Sequence, residues 1–264
     1  KISFGEETYL SGETMNVEQF FERLGRGDVH PVTSPLTMEE YKARYEALET
    51  HGAPILSIHL SDTLSKTVDL TRQAARQVKG QVITVWDSKT ISGMLGFQVL
   101  TAARAARAGC SIEQIIPLLE QTHQASNLLF CLDDLSYLVK GGRIGKVSYM
   151  VAQTLRIKPI ITISKSSPMA GIYVSTHERV HSLSKVLDVY MRYIVRDVGS
   201  QNKLRALVMH GQPPSSDLAA TFVDQLRDRF EIVLLDMLYG TPIIDVYAGP
   251  QAIGVAYIPG DWPV

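Results

Sequence analysis

Cysteine is scarce in this 264-residue chain: there are two, Cys110 and Cys131, both in apolar helix-and-strand contexts. Two thiols so placed build neither a disulfide framework nor a zinc knuckle, and a reducing, intracellular home is the expectation. An excess of either charge is also missing, with 26 basic and 27 acidic residues and a net charge of −1. Nucleic-acid binders carry a basic excess, so no nucleic-acid partner is expected. No apolar run approaches the ~18 residues of a membrane span. Leu128–Leu132 is among the longest, so a cytoplasmic chain without a span is expected. The G-x-S-x-G nucleophile elbow is absent, which leaves serine hydrolase chemistry unsupported. Internal repeats and low-complexity segments are missing too. What is present is 45% hydrophobic residues, too many for a disordered chain, in a length that builds a substantial core without staples.

Short β-branched runs alternate with longer amphipathic stretches, the pattern of an α/β fold. Asn16 with Gln19, Thr37 with Glu40 and Ser111 with Gln114 each read as a capping box opening a helix. Met38, Tyr41, Tyr45 and Leu48 form the expected buried stripe of the second helix. Strands are expected at Ile55–Leu60, Val82–Trp86, Leu128–Leu132, Ile157–Ser164, Ile172–Ser175, Leu204–His210, Ile232–Asp236, Ile243–Tyr247 and Ile253–Ile258. Further helices are expected near Val68–Val78, Ile91–Arg107, Glu178–Val195 and Ser215–Arg229. A change of character near residue 156 predicts two lobes: residues 1–156 with a parallel sheet, and residues 157–264 with a mixed sheet.

Three motifs invite chemistry. His177-Glu178-Arg179-Val180-His181 is a literal H-E-x-x-H. On a helix this spacing places two imidazoles on one face, beside a carboxylate that activates zinc-bound water. A zinc peptidase also needs a third ligand, and Ser182-Leu183-Ser184 does not continue the elongated pattern. The expectation is no metal, with the zinc peptidase kept as an alternative. Lys140-Gly141-Gly142-Arg143-Ile144-Gly145-Lys146 imitates a phosphate loop but has the wrong spacing, and Val147 stands where the magnesium hydroxyl belongs. It reads as a helix stop followed by a basic turn. Thr33-Ser34 and the run Ser61-Asp62-Thr63-Leu64-Ser65-Lys66-Thr67 precede helices, and the second follows a strand. Hydroxyls at the carboxyl end of a strand in an open α/β sheet make an anion cradle.

Taken together and in order along essentially the whole chain, these segments resemble the DegV family of bacterial fatty-acid-binding proteins. The carriers of the resemblance are Thr33-Ser34, Ile55–Leu60 with Leu64-Ser65 and Thr67, Asp87-Ser88-Lys89 with Gly96, Ile157-Lys158-Pro159-Ile160, and Gly249-Pro250 with Ala252 and Gly254. The most specific is the stretch from Asp133 through Lys140-Gly141-Gly142-Arg143 to Ile144. The resemblance implies two α/β lobes and a long-chain fatty acid in a buried tunnel, lined in part by the Ile91–Ala106 helix. It implies no catalytic residue and no cofactor beyond that ligand. The carboxylate would be held by Thr33 and Ser65, with Ser34, Ser61 and Tyr247 in support. The partner implied is the catalytic subunit of a fatty acid kinase, which phosphorylates the carboxylate and docks against Arg143 and Arg179. The family usually begins about one strand and one loop earlier than Lys1. Both loop glycines of the family are replaced here, leaving Asp62-Thr63 and Lys66, and Tyr247 stands in place of a common histidine. Those changes keep open a different small anionic ligand on the same fold.

Overall fold

The computed structural model describes residues 1–48, 52–142, 158–166 and 168–263. Backbone contacts divide the chain into two compact units, each built from separate segments. The first holds Lys1–Ser34, Asn127–Ile163 and Tyr173–Asp261; the second holds Pro35–Ser126, Ser164–Ile172 and Trp262–Val264. The boundary expected at residues 156 and 157 lies outside the described residues. Strand β6 (Asn127–Cys131) runs antiparallel to β11 (Ile253–Pro259), with Cys131 opposite Ile253 and Asn127 opposite Tyr257. That pairing places Asn127–Cys131 in the same sheet as the C-terminal strand.

The first unit is built on a six-stranded mixed sheet in the order β10-β9-β11-β6-β7-β8. Its remaining strands are β7 (Lys158–Ile163), β8 (Tyr173–Val180), β9 (Lys203–His210) and β10 (Glu231–Tyr239). β9 and β10 are parallel, joined by helix α8 (Ser215–Arg229), and the other neighbours are antiparallel. Helix α7 (Val186–Val198) and α8 bring Tyr190, Ile194 and Phe222 onto Val208, Val255 and Tyr257 to form an extensive apolar cluster. The Tyr190 hydroxyl is buried within it and donates to the Ile253 carbonyl at 2.9 Å, which satisfies the one polar atom the ring brings inside. A small antiparallel sheet of β1 (Ile2–Phe4), β2 (Glu7–Tyr9) and β3 (Val32–Thr33) packs Ile2 and Phe4 against Phe20 and Phe21 of helix α1 (Val17–Gly25). Val246 of helix α9 (Pro242–Ala248) closes that cluster. Short helix α6 (Ser136–Lys140) stops at Gly141, as its glycine pair predicts.

The second unit carries the parallel pair β4 (Ile55–His59) and β5 (Ile83–Asp87). Around it lie α2 (Met38–Glu46), α3 (Thr67–Gln77), α4 (Ser92–Arg107) and α5 (Ile112–Ala125). All three expected capping boxes form, at Asn16, Thr37 and Ser111. The inward face of α4 is mixed: Met94, Phe97 and Ala105 are buried, and so are Gln98 and Thr101. Gln98 accepts from the Trp86 indole at 2.8 Å and donates to the Ser88 carbonyl at 2.9 Å. Buried polar groups of this kind are tolerated because they are bonded.

Three local expectations are corrected. Ile243–Tyr247 is helical, because Thr241 and Pro242 start α9 and it turns Val246 and Ala248 inward. Leu48 lies just beyond α2 and is exposed. The helix expected from Glu178 begins only at Val186, after a single 3-10 turn at Leu183–Lys185. Among the described residues no helix is long and apolar enough to cross a membrane.

Candidate functional site

His177, Glu178 and Arg179 lie on strand β8, not on a helix. β8 continues through Val180, which is opposite Lys158 of β7. Extended backbone over His177–Val180 spans roughly 10 Å before His181 is reached just past the strand's end, so the pair lacks the one-turn spacing of a helical chelate. Glu178 is engaged by Arg192 at 3.1 Å. No group of three metal-ligating side chains occurs among the described residues. The zinc alternative therefore lacks its geometry. Arg179 is exposed on β8, whereas Arg143 lies outside the described residues.

The hydroxyl run after β4 folds into a compact turn in the second unit. The Leu64 and Ser65 N–H groups donate to the Ser61 carbonyl at 3.0 and 3.2 Å. Hydroxyls recur at every second position and pair accordingly. Ser61 Oγ meets Thr63 Oγ1 at 2.7 Å, and Ser65 Oγ meets Thr67 Oγ1 at 2.8 Å. Ser61 is fully buried, while Ser65 is half-buried at the entry to α3. The Asp62 and Lys66 side chains are exposed. The two charges that depart from the resemblance thus sit on the outer side of the turn. Asp87, at the end of β5, has its carboxyl held above the usual range by burial, with the Asp62 charge adding to the effect.

Gly171 is the unforeseen member of this group. It has φ +85°, and a Cβ there would come within 3.0 Å of the Ser61 Cβ and 3.2 Å of the Lys89 carbonyl, closer still to Ser61 Oγ. Ser61 is therefore buried partly because a glycine, 110 positions later, leaves it room. Nothing local in the sequence signals this contact. Within the same unit, Tyr45, Ser57 and His59 form a hydrogen-bonded chain of 2.7 Å links. Burial lowers the His59 pKa to about 4, so its ring is neutral at physiological pH.

In the first unit the structure brings Thr33 and Tyr247 together. The Thr33 hydroxyl at the end of β3 hydrogen-bonds the phenol of Tyr247 on α9. Both side chains are half-buried. Ser34 is exposed, and its backbone N–H and C=O both bond Lys1. Each of these two pairs, Thr33 with Tyr247 and Ser65 with Thr67, sets one hydroxyl against another. An arrangement of that kind can donate to an anion once the hydroxyls re-orient. The Ser65–Thr67 bond follows the alternation of the hydroxyl run.

A family model described as "Uncharacterised protein, DegV family" matches residues 1–260. A DegV domain-containing protein of Deinococcus radiodurans is 32% identical over 262 residues, covering 99% of this chain and 88% of the relative. Among solved structures, DegV of Bacillus subtilis, described as a fatty acid binding protein, aligns with a TM-score of 0.87 at 25% identity, over 98% of this chain and 89% of that one. A stearic acid-binding protein of Eubacterium ventriosum aligns with a TM-score of 0.81 at 24% identity, over 98% and 89%. The latter likeness shows the shared fold.

Proposed function

The chain belongs to the DegV family, and on that premise we propose that it is a non-catalytic carrier of a long-chain fatty acid. Thr33 and Ser65 hold the carboxylate in this reading, with Ser34, Ser61 and Tyr247 in support. The carrier presents that carboxylate to a kinase for acyl-phosphate formation, with Arg143 and Arg179 available for docking. The observation that carries the reading is the bond between Thr33 and Tyr247, two residues 214 positions apart in sequence. It supports Tyr247 as the functional replacement of the family's histidine.

The energetics fit a carrier. Burying about fourteen methylenes at ~0.8 kcal/mol each offers ~11 kcal/mol before the costs of association. A carboxylate taken into an apolar tunnel needs hydrogen bonds to keep that gain. Hydroxyl donors supply them without a strong fixed cation, which leaves a carboxylate oxygen nucleophilic for phosphoryl transfer. The test is mass spectrometry of a denaturing solvent extract of the purified protein. One fatty acid per chain is expected; protein free of acyl chains that also fails to take up oleate would overturn the reading. Thr33→Val with Ser65→Ala should weaken oleate binding roughly tenfold or more, at ~1 kcal/mol per lost hydrogen bond. Unchanged affinity would remove the site assignment.

A further inference from the structure

We propose that Gly141 and Gly249 are positioning residues that aim the Tyr247 phenol at Thr33; only the consequence for ligand binding rests on the carrier reading above. The two glycines end α6 and α9, helices that pack on one another. Gly141 caps α6 through its N–H to the Tyr137 carbonyl at 2.9 Å. A Cβ on Gly141 would stand 2.7 Å from Tyr247 Cε1 and nearer still to Cδ1. Gly249 caps α9 through its N–H to the Asp245 carbonyl at 2.9 Å. A Cβ there would stand 2.7 Å from Tyr137 Cδ2, 3.0 Å from Cε2 and 3.1 Å from Cγ. Each helix therefore lays a tyrosine ring on the terminal glycine of the other. The lock is reciprocal.

The geometry leaves Tyr247 little freedom. Its ring packs against two apolar clusters, one containing Ile2, Phe4 and Phe20, the other Leu132 and Leu138. With apolar neighbours in both clusters and Gly141 beneath, a methyl group at 141 cannot be absorbed by a small shift. The ring must turn, and the phenol leaves Thr33. A methyl at 249 acts one step earlier, by lifting Tyr137 and with it the end of α6. Gly249 has φ +76°, so a side chain there also meets backbone strain. Gly141 has no such left-handed backbone, which makes Gly141→Ala the cleaner probe.

The test uses the full chain with 3-fluorotyrosine placed at position 247. Thr33→Val moves the fluorine resonance by removing the Thr33 hydroxyl bonded to the phenol. Gly141→Ala is expected to move it in the same direction, and the double variant is expected to add nothing further. In parallel, Gly141→Ala should weaken oleate binding at least fivefold, with no further loss when combined with Thr33→Val. If Gly141→Ala does not fold, the Tyr247→Ala background replaces it: there the added methyl should be accepted with recovery of folded protein. A resonance unmoved by Gly141→Ala while Thr33→Val moves it would overturn the proposal, as would Gly141→Ala remaining unfolded without the tyrosine ring. Failure of the wild-type protein to bind oleate would instead fall on the carrier reading, because the fluorine signal is read without ligand.

Discussion

Asp245→Asn is expected to stabilise the protein at pH 8 and to leave it nearly unchanged at pH 4. Asp245 is 1% exposed on α9, and its Oδ2 is buried with no hydrogen-bond partner among the described residues. Its carboxyl presses on the Cα of Gly240, where a Cβ would stand 2.8 Å from Oδ2. Burial pushes the pKa up to about 8. The unfolded carboxyl ionises near 3.8, so between pH 4 and 8 the folded state holds a proton that the unfolded state has released. Stability contributed by this group therefore falls as pH rises through that window, by about 1.4 kcal/mol per unit while the difference is a full proton. His59, His30 and His123 act in the opposite sense. Burial lowers all three, with nearby lysines adding to the effect at His30 and His123. Their folded forms bind fewer protons than the unfolded chain, so their stability is present above the ordinary histidine range and is lost as pH falls toward 4. The two trends meet near pH 6.5, which should be the stability maximum of the wild-type protein. Urea unfolding followed by circular dichroism from pH 4 to 8.5 would measure it. Asp245→Asn should abolish the decline above pH 6.5, which in the wild-type protein amounts to about 2 kcal/mol between pH 6.5 and pH 8. A decline of the same slope in the variant would place its cause elsewhere.

The parts of the molecule that local chemistry decides were legible in the sequence. The three capping boxes form because each joins a side-chain oxygen to a backbone N–H within three residues, a contact that needs no tertiary support. Helix α8 spans the residues its pattern marks, Ser215–Arg229. The failures share a different cause. His177 to His181 satisfies a helical metal motif on paper, yet Lys158 and Pro159 of β7 stand opposite Val180 and Arg179, and the strand wins. Its exposure pattern, with His177 and Arg179 outward and Val180 buried, has the period of two expected of a strand edge. Ile243–Tyr247 is rich in β-branched residues but stands behind Pro242 at the first helical position, and burial of Val246 settles it as a helix. For the site, Thr33 and Tyr247 could be named from the resemblance, whereas their contact spans the chain and leaves no local trace. The glycines that make room for site side chains were equally invisible, because the neighbour each admits is distant in sequence.

Gly171→Ala and Gly109→Ala separate those two roles of glycine in one unit, and their difference is the second large effect expected. Both residues have φ +85°. A Cβ on Gly109 meets nothing within 4 Å, so alanine there carries only the left-handed backbone penalty, roughly 1 kcal/mol. At Gly171 the same penalty applies, and the methyl also collides with Ser61 and approaches the Lys89 carbonyl. Ser61 cannot yield outward, since it is fully buried and tied to Thr63 at 2.7 Å, and its carbonyl anchors the N–H groups of Leu64 and Ser65. The strain must pass into the turn that delivers Ser65 to the start of α3. Gly171→Ala should therefore cost about 2–4 kcal/mol, against roughly 1 kcal/mol for Gly109→Ala, in matched denaturant titrations. It should also weaken oleate binding under conditions where it remains folded, while Gly109→Ala leaves affinity unchanged. Equal stability losses in the two variants would show that Ser61 tolerates the methyl. Intact oleate affinity in a destabilised Gly171→Ala would uncouple the Ser61 turn from the carboxylate site, leaving Thr33 and Tyr247 to hold the head group.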